Sequence, residues 1–249
     1  MQYRVQGIVI RSMDYGEGNK IITLFTREQG KMSVVARGAK KVKSRFGSSA
    51  QLFTYGDYLF FKSSQLGTLN HAEIIEAFHK IREDLHKAAH ASYLAELTDR
   101  MMGDQEGQPY LFDQLKASLQ AIQEEKDLQI IGHLYEMKML MHAGYTPELE
   151  NCVVCRENSS PAVAISVGMG GVLCERCLLR DPAAVRLTPG AYKLLRLFVQ
   201  MDARRLGQID VKPQTKQLLK QIMRSYFDTH AGVKLKSRDF LDQMDKYGV

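Results

Sequence analysis

The residues of this chain best suited to chemistry are its four cysteines. Cys152-Val-Val-Cys155 and Cys174-Glu-Arg-Cys177 are separated by eighteen residues, and no cysteine lies elsewhere. Each Cys-x-x-Cys turn aims two thiolates at one point, and two such turns at this separation complete a tetrahedral zinc site. Four thiolates leave no open coordination position, so one zinc ion is expected to hold structure and do no chemistry. Two disulfides or a redox motif are the competing readings. A redox Cys-x-x-Cys is usually single and sits in a βαβ unit, which this region lacks. Gly168-Met-Gly-Gly171, between the knuckles, has no P-loop pattern. It is expected to be a hairpin turn, with Val163, Ile165, Val167 and Val172 in short strands.

The second chemical group is cationic. Arg37-Gly-Ala-Lys-Lys-Val-Lys-Ser-Arg45 holds Arg37, Lys40, Lys41, Lys43 and Arg45 and no acid. Such a run, set between strands, suits the tracking of a phosphate backbone; the plainer reading is a mobile charged loop. Phe46, Phe53, Tyr55 and Tyr58 follow it and have faces on which bases could stack, but their alternation fits core packing equally well. Over the whole chain, residues 1–80 hold 12 Lys+Arg against 6 Asp+Glu, residues 81–175 hold 7 against 15, and residues 176–249 hold 15 against 7. The chain is basic, acidic, basic, and two separated basic segments suggest a polyanionic partner, most simply nucleic acid. In the second basic segment, Arg196, Arg204, Arg205, Lys216, Lys220 and Arg224 lie on amphipathic helices. They are either the polar face of a bundle or the rim of a second site for DNA or an acidic peptide.

Other candidates are weaker. His86 and His90 are four apart on a helical pattern and could share a metal, but no carboxylate motif accompanies them, so surface or packing roles are favoured. Met137, Met139 and Met141 read as core filler, with an adaptable groove as the alternative. There is no GxxxxGK[ST], no GxSxG and no pair of carboxylates that periodicity brings together. A binding protein is therefore expected, and not an enzyme. No run of eighteen apolar residues exists, so no membrane span is expected. Met1-Gln-Tyr-Arg-Val lacks a signal-peptide core, and the cytoplasm is the expected compartment.

These groups need elements to position them. Residues 1–79 read as five short strands. Tyr3, Val5, Gly7, Val9 and Arg11 share one alternating face, and Ile8 and Ile10 the other. A turn-rich loop follows at Asp14–Asn19. Strands then run from Ile21 to Thr26, Met32 to Ala36, Asp57 to Lys62 and Thr68 to Ile75. Five strands in so short a segment suggest a small barrel of the OB-fold type, which often binds single strands. From Phe78 the period becomes helical. Ile81, Leu85, Ala88, Leu94 and Met101 mark one helix. Leu111, Leu115, Leu119 and Ile122 mark a second, opened by Pro109. Leu128, Ile131, Leu134, Met137 and Met141 mark a third, capped by Asp127. Thr188-Pro189 and Pro213 open two more helices, and Ser237 caps a last one bearing Phe240, Leu241 and Met244. The expected class is α+β. A five-stranded OB-fold barrel (1–79) precedes an α-helical domain (80–150 and 180–249), with a Cys₄ zinc module (151–179) set between its helices.

In this order the chain resembles the RecO family of bacterial recombination mediators and DNA repair proteins. The resemblance is carried by Leu24-Phe-Thr26 with Gly30, by Ala36-Arg-Gly-Ala-Lys-Lys-Val-Lys-Ser44, by Gln51-Leu-Phe53 and by the two knuckles. Leu187-Thr-Pro189 and Lys236-Ser-Arg-Asp-Phe-Leu241 extend it along the full length. It implies binding of single- and double-stranded DNA and annealing of complementary strands. It also implies work with RecR to load RecA onto DNA coated by single-stranded DNA-binding protein, whose acidic C-terminal tail such proteins can bind. It implies a cytoplasmic, nucleoid-associated protein with a structural zinc. A zinc-stabilised RNA- or transcription-associated module is the alternative, and an enzyme with a metal at His86 and His90 a third. Nucleotide-free annealing separates the first two, and metal stoichiometry separates the third.

Overall fold

The structure, a computed structural model, describes residues 1–62, 65–158 and 162–248. Residues 159–161 of the expected zinc module lie outside them. Five strands, β1 (Gln2–Tyr15), β2 (Asn19–Thr26), β3 (Gly30–Ala36), β4 (Tyr55–Lys62) and β5 (Leu66–Glu76), close a barrel in the order β1-β2-β3-β5-β4. β3 and β5 run parallel, and the other neighbours are antiparallel. This is the OB-fold. β1 closes it by pairing its first half with β4 and its second with β2. Val5, Val9, Ile22, Leu24, Val34 and Phe60 fill the interior. At the β2–β3 turn Gly30 has φ 64°, and a Cβ there would stand 2.5 Å from the Glu106 backbone, so glycine is required.

One departure from simple alternation shapes everything downstream. The β1–β2 register slips between Val9 and Arg11, a bulge that inserts Ile10. Arg11 therefore does not share the face of Val5 and Val9, as unbroken alternation predicts. Ser12 pairs with the interior residue Ile22 and donates its hydroxyl to the Ala50 carbonyl at 2.8 Å. Arg11, Met13 and Tyr15 are turned outward and are exposed. A bulge shifts side-chain parity by one in this way.

The chain forms two compact units. The first joins Met1–Glu125 to Leu235–Val249 and contains the barrel, α1 (His79–Arg82), α2 (Leu85–Met101), α3 (Pro109–Gln123) and α7 (Lys236–Tyr247). The second, Lys126–Lys234, contains α4 (Leu128–His142), β6 (Ala164–Ser166), β7 (Gly171–Leu173), β8 (Val185–Arg186), α5 (Pro189–Gln200) and α6 (Pro213–His230). Packing thus groups the helices along other lines than the change of period near residue 79.

Most expected helices and caps are present. Asp127 accepts from the Gln129 and Ile130 N–H groups, and Thr188 Oγ1 accepts from Ala191 N. The first expected helix is broken at Asp84, which caps α2 through Lys87 N. Leu85, expected on the apolar face, is 52% exposed as a result. α4 is buried on every side from Ile130 to Leu140, which makes it the centre of the second unit. Met137 and Met139 are core.

Ser237 does not cap α7. That helix starts one residue earlier, with no side-chain cap at Leu235. Its N–H groups are met from α2: Glu96 accepts from Lys236 N at 3.2 Å, Ser237 N at 2.8 Å and Ser237 Oγ at 2.5 Å. Burial raises the Glu96 carboxyl, but these bonds, with the nearby Arg100 charge, outweigh it and hold the group below its ordinary 4.5. A depressed carboxylate contributes stability above its unfolded pKa and loses it as pH falls through the folded one. Docking of α7 should therefore weaken on acidification below about 4.5. Glu96→Ala should cost roughly 1–2 kcal/mol at neutral pH. Hydrogen exchange confined to residues 236–247 reads both effects, and unchanged protection there would contradict them.

Candidate metal centre and nucleic-acid interface

The four-cysteine module folds locally. β6 pairs with β7 across a turn in which Gly170, at φ 77°, donates its N–H to the Val167 carbonyl, the hairpin expected at Gly168–Gly171. The first knuckle closes through Arg156 N to Cys152 O at 2.8 Å and the second through Cys177 N to Cys174 O at 3.1 Å. Arg156 takes a left-handed φ of 62° to make its turn. Cys152, Leu173 and Cys177 form a small buried cluster, with Val153 and Ala184 packed against it.

The two knuckles converge. All four Sγ atoms, those of Cys152, Cys155, Cys174 and Cys177, lie within 4.8 Å of one another. Cys155 Sγ and Cys174 Sγ are 3.8 Å apart. Four thiolates about 2.3 Å from a central ion stand about 3.8 Å apart on a tetrahedron. A disulfide requires about 2.05 Å, and the four thiols are free, so the disulfide reading fails. The donor set fits a thiophilic tetrahedral ion. Among the described residues this is the only cluster of three or more potential ligands, and His86 and His90 belong to none. His90 Nδ1 instead stands 2.9 Å from the His86 carbonyl.

Protonation sets the pH response of this centre. Burial pushes the Cys152 thiol up, but backbone N–H groups of Cys155, Cys174 and Val154 outweigh it and bring it down to about 6. Burial and the neighbouring sulfurs push Cys177 up to about 12. Metal binding must displace these protons, so acid competes with the metal. Metal content should be retained at neutral pH and fall at acidic pH. Elemental analysis of dialysed protein at both values checks this, and equal content would contradict it.

The basic segment forms a cap packed on the barrel. Ala39, Phe46 and Ala50 join the barrel interior, while Arg37, Lys40, Lys41, Lys43 and Arg45 are all exposed. Two bonds tie it to the β1–β2 turn: Lys40 N to Gly18 O at 3.1 Å and Gly38 N to Asn19 Oδ1 at 2.8 Å. Lys40 Nζ pairs with Asp14 at 2.7 Å, and this bond holds the Asp14 carboxyl below its ordinary value. Arg37, Lys41, Lys43 and Arg45 have no ion pair among the described residues. Arg45 lies over the Phe46 ring, 4.5 Å from its centroid. Phe46, Phe53, Tyr55 and Tyr58 are buried, and Tyr58 donates its hydroxyl to the Ser49 carbonyl at 3.0 Å. Phe46 and Tyr58 pack the barrel interior, whereas the Tyr55 ring meets Phe112 of α3 edge-on and Phe53 lines a cleft beside α2. Among the described residues of the barrel, the exposed aromatics are Tyr15 and Phe61, each at 50%, with Met13 at 43% two residues before Tyr15. The sequence places Tyr15 in a loop; β1 runs through it. The alternation of Arg11, Met13 and Tyr15 was the available signal, but it carries meaning only once the bulge is known.

The second basic segment is differently disposed. Arg196 pairs with Glu150 at 2.8 Å and Lys216 with Asp127, so acids of the middle segment engage two of the six candidates. Arg204 pairs with Asp202 at 2.6 Å. Lys220 and Arg224 also have interaction partners, and Arg205 is exposed. Within the second unit this charge is largely met internally.

Known proteins agree with this architecture. The family model described as "Recombination protein O N terminal" matches residues 1–78, and "Recombination protein O C terminal" matches residues 82–239. The DNA repair protein RecO of Halalkalibacterium halodurans is 46% identical over 248 residues, covering 100% of this chain and 97% of the relative. The protein of the same name from Bacillus pumilus is 45% identical, covering 98% and 95%, and that from Bacillus cytotoxicus 43%, covering both chains fully.

Proposed function

The chain belongs to the RecO family of DNA repair proteins, and from that premise we propose that it is a recombination mediator acting by binding, without catalysis. It holds single- and double-stranded DNA and anneals complementary strands. With RecR it helps load RecA onto DNA coated by single-stranded DNA-binding protein, in the cytoplasm at the nucleoid. The observation that carries this reading is the barrel cap. Arg37, Lys41, Lys43 and Arg45 stand exposed, without ion pairs among the described residues, on a fold whose loops serve single strands. Lys40, already paired to Asp14, contributes least. The ion at Cys152, Cys155, Cys174 and Cys177 is zinc, which the four-thiolate tetrahedron favours.

Binding of the acidic tail of single-stranded DNA-binding protein calls for an apolar groove with a basic rim. The internal pairing of Arg196, Arg204 and Lys216 argues for looking beyond the six expected rim residues. In the second unit a groove of about 670 Å³ has Leu194, Leu197 and Val211 in its walls, with Lys193, Lys212 and one acid, Asp210, at its edge. It suits such a tail better.

The test is annealing of bare complementary oligonucleotides without nucleotide. Acceleration by the protein supports the reading, and its absence with tight DNA binding intact would leave an RNA- or transcription-associated module.

A further inference from the structure

The bulge in β1 opens a site beyond the barrel cap. Phe53 donates its N–H to Val9 O at 2.8 Å, and Val9 N donates to Thr54 O at 3.0 Å. These bonds tie the end of the β3–β4 connection to the bulge, and Phe53 takes a left-handed φ of 72° to make them. Strained backbone of this kind persists where the surroundings enforce it and gathers at functional sites. Beside it lies a cleft of about 400 Å³ in the first unit, with Ile10, Leu52 and Phe53 on the barrel side and Arg11, Arg100 and Lys236 among its lining.

All three cations are exposed, and none makes an ion pair among the described residues. The cleft also contains Glu96 and Asp99, but both are occupied. Glu96 accepts the α7 N–H groups, and Asp99 pairs with Lys31 at 3.4 Å. Glu96 keeps its negative charge and attracts Arg100, so the charge left unmet around the partly apolar floor is that of Arg11 and Lys236. The cleft is continuous with the barrel cap by two routes. The connection that begins with the basic segment ends at Leu52 and Phe53. The outward face of β1 runs from Arg11 over Met13 to Tyr15, about 13 Å at strand spacing, and ends at the turn to which Lys40 and Gly38 are bonded.

We propose that Arg11, Arg100 and Lys236 bind backbone phosphates of a single DNA strand that runs from the basic cap along β1 into this cleft, crossing Met13 and Tyr15. The inference rests on the reading of the cap as a DNA interface. A single strand is specified because the exposed Tyr15 ring offers a stacking face, which paired and stacked bases of a duplex cannot use.

The experiment measures affinity for a fluorescent oligothymidylate across a salt series. Three lost single-strand contacts at about 0.7 each should lower the log-affinity against log-salt slope by about 2 in Arg11→Ala/Arg100→Ala/Lys236→Ala. Only the backbone of Lys236 joins the Glu96 cap, so this variant keeps α7 in place. Arg11→Lys should retain the wild-type slope, because the charge is kept. Tyr15→Ala should weaken binding on the order of tenfold with the slope unchanged, and Tyr15→Phe should restore it. A wild-type slope in the triple variant overturns the proposal. If Lys41→Ala/Lys43→Ala/Arg45→Ala still lowers the slope in that case, the cap survives as the interface and the cleft alone is refuted; if it does not, the cap reading falls as well.

Discussion

Replacing any one of Cys152, Cys155, Cys174 or Cys177 by Ser should release the ion proposed to be zinc and unfold the lobe around it. The hairpin is held by buried Ile165 and Val172 and by His230 and Tyr226 of α6, which bond the Val167 and Gly170 carbonyls, but little apart from the ion holds the two knuckles to each other. The lobe's own apolar cluster is three buried residues, two of which are the cysteines themselves, and its strands are two or three residues long. Structural zinc binds with an apparent free energy of roughly 10–16 kcal/mol in small modules, and that energy is folding energy. The loss is comparable to the total stability of a typical domain, about 5–15 kcal/mol, so local collapse is expected. Limited proteolysis should cut between residues 150 and 187 in each variant and in chelated wild type. Tyr192 donates its hydroxyl to the Leu149 carbonyl at 2.7 Å, so loosening should spread to α5 within the second unit. DNA binding by the first unit should persist. Purified protein without one zinc per chain, or a Cys155→Ser variant as protease-resistant as wild type, would contradict this.

The second large effect belongs to the barrel cap. Arg37→Ala/Lys41→Ala/Lys43→Ala/Arg45→Ala should lower the salt slope by about 3, which at about 0.15 M salt is on the order of 200-fold in affinity for single-stranded DNA. Loss should be the same for every base sequence, since phosphate contacts carry no sequence information. The fold should survive, because the buried side of the cap is Ala39, Phe46 and Ala50, which the variant leaves alone. Lys40→Ala should change affinity much less than Lys41→Ala, since Asp14 already neutralises it. Binding titrations on these variants check the ranking, and equal losses at Lys40 and Lys41 would contradict it.

The parts of the molecule that local pattern controls were legible in the sequence. Period-two alternation marks β2 to β5, Cys-x-x-Cys spacing marks the metal centre, and Asp127, Thr188-Pro189 and Pro213 mark helix starts because their effect ends within one turn. What was not legible depends on partners far away in sequence. The Ile10 bulge is imposed by Phe53 and Thr54, and nothing in residues 8–12 announces it. The α7 cap comes from Glu96, 141 residues before Ser237, so a local reading assigns Ser237 instead. Leu85 has helical spacing, yet the break at Asp84 rotates it outward. α4 is enclosed by other elements of its unit, so its polar residues Glu136 and Lys138 are buried, where periodicity predicts a solvated face. The six C-terminal cations show the same limit. Helical position predicts a solvated face, but Arg196, Lys216, Lys220 and Arg224 are only half-exposed, Arg204 and Arg205 lie on a short 3₁₀ turn, and the acids that meet two of the six, Glu150 and Asp127, are distant in sequence.

The central claim is that this chain anneals strands held by another protein and does so through the barrel cap. The measurement that tests it most directly is annealing of complementary strands precoated with single-stranded DNA-binding protein, without nucleotide, for wild type and for the quadruple cap variant. The account predicts rapid annealing by the wild type and loss of it in the variant, with zinc content and folding unchanged. Annealing of coated strands that is absent in the wild type, or undiminished in the variant, would contradict it.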